Sequence, residues 1–85
     1  MPDAATRDEL IAFLLDRLAE RIGCDPGDID RDADLIELGI RSIDAVLVSG
    51  ELEDRFGVEI DPVLLFECRT VNRVAESVIA SLTRR

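Results

Sequence analysis

The chain has no histidine, no tryptophan, no tyrosine and no lysine. Without histidine, imidazole acid–base chemistry and a Ser-His-Asp triad are excluded. Two cysteines, Cys24 and Cys68, are too few for a disulfide framework or a thiolate metal site. Each falls at or beside an expected helix end, where a small half-buried residue is ordinary, and reduced thiols suit a cytosolic protein. No apolar run approaches the roughly 20 residues that span a bilayer, and Met1-Pro2-Asp3 lacks the basic start of a signal peptide. A cytoplasmic protein without membrane contact is expected. The ten basic residues are all arginine and face nineteen acids, for a net charge of −9. That balance disfavours nucleic acid and anionic membranes as partners and favours basic protein surfaces. An enzyme is not expected.

What is present is a foldable amount of apolar material. Hydrophobic residues make up 47% of 85 residues, enough for one small domain over 1–85 and too many for a disordered chain. The pattern predicts an all-α, four-helix bundle: three main helices, a short third helix, and a long loop between the first two. Thr6-x-x-Glu9 resembles a capping box opening helix one, where Ile11, Leu15, Leu18 and Ile22 recur at helical spacing beside Leu10 and Leu14. Gly23 closes it. A polar loop over 24–41 follows, pinned by Ile29, Leu35, Ile36 and Leu38. Helix two is predicted over 42–56, stopping at Gly57. Asp61-Pro62 is expected to supply an N-cap and a first-turn proline for the short third helix over 63–67, and Thr70 caps a last helix with the row Val71, Val74, Ala75, Val78, Ile79, Leu82. Arg84 and Arg85 sit at its negative end.

Helix two carries two apolar stripes. With about 3.6 residues per turn, Ala45, Val48, Leu52 and Phe56 share one face. Ile43, Val46, Leu47 and Gly50 cluster on the other, with Asp44 and Glu51 between. A small bundle buries one stripe. The second is expected to be partly buried at Val46 and to meet a partner at Ile43 and Leu47. Before this helix, Gly39 delivers Ser42 to an N-terminus, where unpaired N–H groups and the helix dipole suit a phosphate. An N-cap hydroxyl is the bland role for such a serine.

Asp28-Ile-Asp30-Arg-Asp32-Ala-Asp34 imitates the start of a calcium loop. The imitation fails where Ala33 replaces the required glycine and Gly39 replaces the bidentate glutamate. A solvated acidic loop is expected, with Asp34 turning the chain before Leu35, and no metal site.

The run Leu38-Gly39-Ile40-Arg41-Ser42-Ile43, followed by Leu52-Glu53-Asp54-Arg55-Phe56-Gly57-Val58-Glu59-Ile60, resembles the acyl carrier protein family over nearly the whole chain. The resemblance implies that Ser42 carries a 4′-phosphopantetheine arm, installed from coenzyme A by a phosphopantetheinyl transferase. The arm's thiol would hold acyl groups as thioesters and present them to an acyl- or aminoacyl-loading enzyme and to a ketosynthase, acyltransferase or other synthase partner. Arg41, Ile43, Asp44, Leu47 and Glu51 would form the partner interface of a monomeric carrier.

Two positions depart from the family pattern. Arg41 stands where aspartate usually precedes the serine, and Leu47 where glutamate is common. Both changes shift docking from electrostatic towards hydrophobic recognition and point to a dedicated partner, with an acid for Arg41 and an apolar hollow for Leu47. Ile40, where peptidyl carriers typically show a second glycine, favours a polyketide- or fatty-acid-type carrier. The lysine-free composition fits a GC-rich genome and specialised, antibiotic-type metabolism. Met1 and the short tail after Leu82 favour a free-standing protein. A stand-alone aminoacyl, peptidyl or starter-unit carrier is the alternative. An unmodified, carrier-like adaptor is a second.

Overall fold

The computed structural model describes residues 4–83, which form α1 (Ala4–Ile22), α2 (Ser42–Phe56), α3 (Val63–Cys68) and α4 (Val71–Thr83). Four α-helices and no strand among the described residues match the expected bundle. Helix α1 packs against α2 and α4, and α3 packs against α4. Leu10, Leu14 and Leu18 of α1 are fully buried among Val48 and Leu52 of α2, Leu65 of α3, and Val71, Val74 and Val78 of α4. The helical spacing of these residues is what brings one face of each helix inward.

The ends of the helices follow local chemistry with some corrections. Helix α1 starts by Ala4, so Thr6 lies inside it and is not its cap. Pro62, expected as the first residue of α3 behind an Asp61 cap, is instead its N-cap; Asp61 still steers the turn, its carboxylate accepting the Val63 N–H at 3.0 Å and its carbonyl the Leu64 N–H at 2.9 Å. That helix runs one residue beyond the expected end, to Cys68. Thr70 Oγ1 accepts the Arg73 N–H at 3.2 Å, the expected cap of α4. Met1-Pro2-Asp3 and the Arg84-Arg85 pair lie outside the described residues. Cys24 is exposed rather than half-buried, Cys68 is half-buried, and both are free thiols.

The loop over 24–41 is ordered by its apolar residues and its acids together. It contains a 3-10 turn, Pro26–Asp28. Leu35 is fully buried, and Ile29 and Ile40 nearly so. Ile36 points outward at 52% exposure, so Ile40 takes the anchoring role that the sequence suggested for Ile36. Asp30 Oδ1 accepts the Asp32 N–H at 2.8 Å, and Asp34 Oδ1 accepts the Ile36 N–H at 2.9 Å. These are Asx turns, with Asp34 turning the chain as expected. Asp32 Oδ1 accepts Asn72 Nδ2 at 2.8 Å, and Asp34 pairs with Arg69 at 2.9 Å. Asp30, Asp32 and Asp34 of the calcium-like run are therefore engaged with their own loop and with the α3–α4 corner. Arg69 carries the corner: its φ of 72° ends α3 in the left-handed region, and its carbonyl accepts the Leu35 N–H at 2.7 Å.

Ser49 of α2 is 1% exposed, and among the described residues its hydroxyl has no hydrogen-bond partner. Desolvating an unpaired hydroxyl is unfavourable, and alanine is the better helix former. Ser49→Ala is expected to stabilise the protein by about 1 kcal/mol in urea unfolding. A loss of stability would mean that the hydroxyl has a partner.

Candidate functional site

Gly39 sets the approach to α2. The Gly39 N–H donates to the Ile36 carbonyl at 3.1 Å, and the Ile40 N–H returns to the Leu35 carbonyl at 3.0 Å. This tight reversal needs φ of 103° at Gly39, a region that a Cβ disfavours. Ile40 then enters the core and Arg41 stands in extended geometry at the N-cap. Ser42 is thus the first residue of α2 rather than its cap. It is exposed, and among the described residues its hydroxyl takes no hydrogen-bond partner.

The other hydroxyls differ. Ser49 is sealed in the core, Ser77 and Ser81 are half-buried within α4, Thr70 is a cap, and Thr83 donates to the Ala80 carbonyl at 2.9 Å. Ser42 alone joins exposure to a helix N-terminus.

Asp44 is turned inward. Only 5% exposed, it accepts the Arg41 N–H at 3.0 Å through Oδ2. Arg21 Nε of α1 lies 3.9 Å from Oδ1, and Arg41 Nε lies 3.5 Å from Oδ2. An acid in the first turn suits the helix dipole, and here it also joins α2 to α1. Asp44 is therefore a capping and packing residue, and the structure removes it from the surface expected to face partners. Its link to Arg21 was not evident from the sequence, since the two lie on different helices.

Ile43, Val46 and Leu47 are 55%, 51% and 42% exposed and form one outward strip of α2. The partial burial expected for Val46 does not occur. Arg41 lies near the N-terminal end of this strip with a side chain 77% exposed. Glu51, half-buried, pairs with Arg17 of α1 at 3.0 Å. Glu51 first, then Asp16, hold the Arg17 guanidinium above the ordinary arginine range, so this α1–α2 tie stays ionic. At the other end of α2, Phe13 and Phe56 meet edge to face at 5.9 Å, and Gly57 closes the helix at φ 68°. A groove of about 470 Å³ lined by Gly57, Val58, Glu59 and Ser81 opens there, a helix length from Ser42.

The family pattern of a phosphopantetheine attachment site matches residues 12–78. The chain belongs to the phosphopantetheine-binding acyl carrier protein family. Its prosthetic group is 4′-phosphopantetheine, covalently held. This carrier protein is 40% identical over 67 residues to a phenolphthiocerol/phthiocerol polyketide synthase chain of Mycobacterium tuberculosis. That match takes in 79% of the carrier but only 4% of the synthase chain, so the carrier spans a small fraction of that relative's length. Among solved structures it is similar to a free-standing peptidyl carrier protein from an uncharacterised secondary metabolic pathway of Acinetobacter baumannii. There the TM-score is 0.85 and the identity 33%, covering 89% of this chain and 95% of the other. It is also similar to BlmI, a type-II acyl carrier protein from Streptomyces verticillus involved in bleomycin biosynthesis, with TM-score 0.82, 28% identity and 92% of each chain covered.

The residues present fit the group. An exposed, unbonded hydroxyl at a helix N-terminus offers a nucleophile, and the first-turn amides together with Arg41 offer donors for a phosphodiester. No helix among the described residues is long and apolar enough to cross a membrane.

Proposed function

We propose that this carrier protein bears its arm on Ser42 and presents acyl groups to the enzymes of a polyketide-type pathway without catalysing a reaction itself. The observation that carries the assignment is the Ser42 hydroxyl, exposed and unbonded at the start of α2, while the other serines are buried or half-buried within helices. With a phosphopantetheinyl transferase, Ser42 Oγ attacks the arm-side phosphorus of coenzyme A. The Oγ–P bond forms, the pyrophosphate P–O bond breaks, the nucleotide bisphosphate leaves and the serine proton is released. When bound, the group supplies a flexible tether whose terminal thiol holds an acyl group as a thioester. Tethering raises the local concentration of that acyl group at each docked enzyme.

Docking must be weak and repeated, because several enzymes use the same carrier in turn. Exposed Ile43, Val46 and Leu47 provide a small apolar centre, with Arg41 and Glu51 at its edges, which suits transient contact. Leu47→Glu is expected to lower kcat/KM of the cognate enzyme about tenfold while leaving the fold intact. Unchanged kinetics would rule out a role for Leu47.

The polyketide reading draws support from the synthase relative and from Ile40 in place of a second glycine. A peptidyl or aminoacyl carrier is the second reading, favoured by the similarity to the Acinetobacter peptidyl carrier. Intact mass after incubation with coenzyme A and a broad-specificity transferase tests the carrier role. One phosphopantetheine addition per chain is expected; a folded protein that takes none would support an unmodified adaptor.

A further inference from the structure

Arg41 stands beside the attachment serine where aspartate is usual, and its side chain is 77% exposed. Among the described residues its one ion pair is Nε to Asp44 Oδ2 at 3.5 Å, longer than a good hydrogen bond; the side chain also reaches the Asp44 main-chain amide without making a cap hydrogen bond, and no ion pair engages its Nη groups. Asp44 does not depend on that contact. Its Oδ2 already accepts the Arg41 main-chain N–H at 3.0 Å, and Arg21 Nε stands 3.9 Å from its Oδ1. A guanidinium has no acceptor, so Arg41 at the N-cap cannot satisfy the first-turn amides with its side chain. The start of α2 therefore flanks Ser42 with a free cationic fork on one side and uncapped helix amides on the other.

We propose that Arg41 binds the phosphodiester of the loaded protein, releasing Asp44 to Arg21. This rests on Ser42 being the attachment residue. Two non-bridging oxygens on one phosphorus match the guanidinium fork, and the diester keeps its single negative charge at all working pH values. An aspartate at this position would repel the same phosphate, whereas Arg41 attracts it. The contact restrains the root of the arm and makes Arg41 a positioning residue whose first ligand is on its own chain, with a partner's carboxylate as the competing occupant.

The test compares apo and loaded forms of the parent, Arg41→Gln and Arg41→Lys by thermal unfolding at low and high salt. Loading, verified by mass, is expected to raise Tm of the parent by about 2–4 °C at low salt, less in Arg41→Lys and not at all in Arg41→Gln. The gain should shrink in about 1 M NaCl, where the screening length is only a few ångströms. A reading that needs no variant is the Arg41 Nε–H resonance of the parent, expected to shift on loading. An unmoved resonance overturns the proposal, as does an equal Tm gain in Arg41→Gln. Partner kinetics that change with Arg41→Gln while the resonance stays fixed would assign the side chain to a partner's acid. Absence of any mass addition at Ser42 would instead remove the attachment reading itself.

Discussion

A Ser42→Ala variant is expected to fold as the parent does and to accept no arm at all. The loss is complete because no neighbouring hydroxyl can substitute. Ser49 lies further along α2 in the core and is 1% exposed, while Ser77 and Ser81 belong to α4. The stability cost is small for the same structural reason: Ser42 is exposed, its side chain makes no hydrogen bond among the described residues, and it is not the cap of α2. Alanine at a first helical position is expected to change stability by under about 0.5 kcal/mol. Intact mass after transferase treatment checks the first half, and the urea midpoint checks the second. A destabilised variant would show that the hydroxyl also caps the helix.

The second large effect is on the fold. Leu35→Ala is expected to cost about 3 kcal/mol and to lower Tm on the order of 15 °C. Leu35 is 0% exposed, so truncation leaves a cavity that the loop can only partly close. It matters more than an equal volume elsewhere because its main chain joins two parts of the molecule. The Leu35 N–H donates to the Arg69 carbonyl at 2.7 Å, and the Leu35 carbonyl accepts the Ile40 N–H at 3.0 Å. Loosening it therefore loosens the turn that delivers Ser42. Amide exchange should quicken at Ile40 and around Gly39 before it quickens in α1, and slower arm installation should accompany it. A Tm within a few degrees of the parent would mean that the loop collapses onto the smaller side chain.

These two residues illustrate what the sequence discloses and what it withholds. Helix α2 was legible to the residue because both its ends carry strong punctuation, a glycine turn before Ser42 and Gly57 after Phe56. The buried rows of α1 and α4 were legible from spacing alone, since Leu18 and Val74 can reach the core only at that period. Facing was less legible. Ile36 and Ile40 are equally apolar and four residues apart, and only the turn at Gly39 decides that Ile40 goes in and Ile36 out. The family resemblance put Asp44 in the partner interface, and helical spacing placed it between the two stripes of α2. The Arg41 N–H and the distant Arg21 draw it inward, and that pairing crosses helices. Thr6 had the spacing of a cap, yet the helical run of α1 extends to earlier residues, starting by Ala4. The carbonyl of Arg69, which ties the loop to the α3–α4 corner, left no signal, since a left-handed arginine is not a pattern a sequence advertises.

The central claim is that one particular hydroxyl, Ser42, bears the arm. Fragment-ion mapping of the transferase-treated, full-length protein tests it most directly, because the chain has four serines to choose among. The account predicts the phosphopantetheine mass on the fragment series that brackets Ser42 and on no other. The same mass placed on Ser77 or Ser81, or a fully folded chain carrying none, would contradict it.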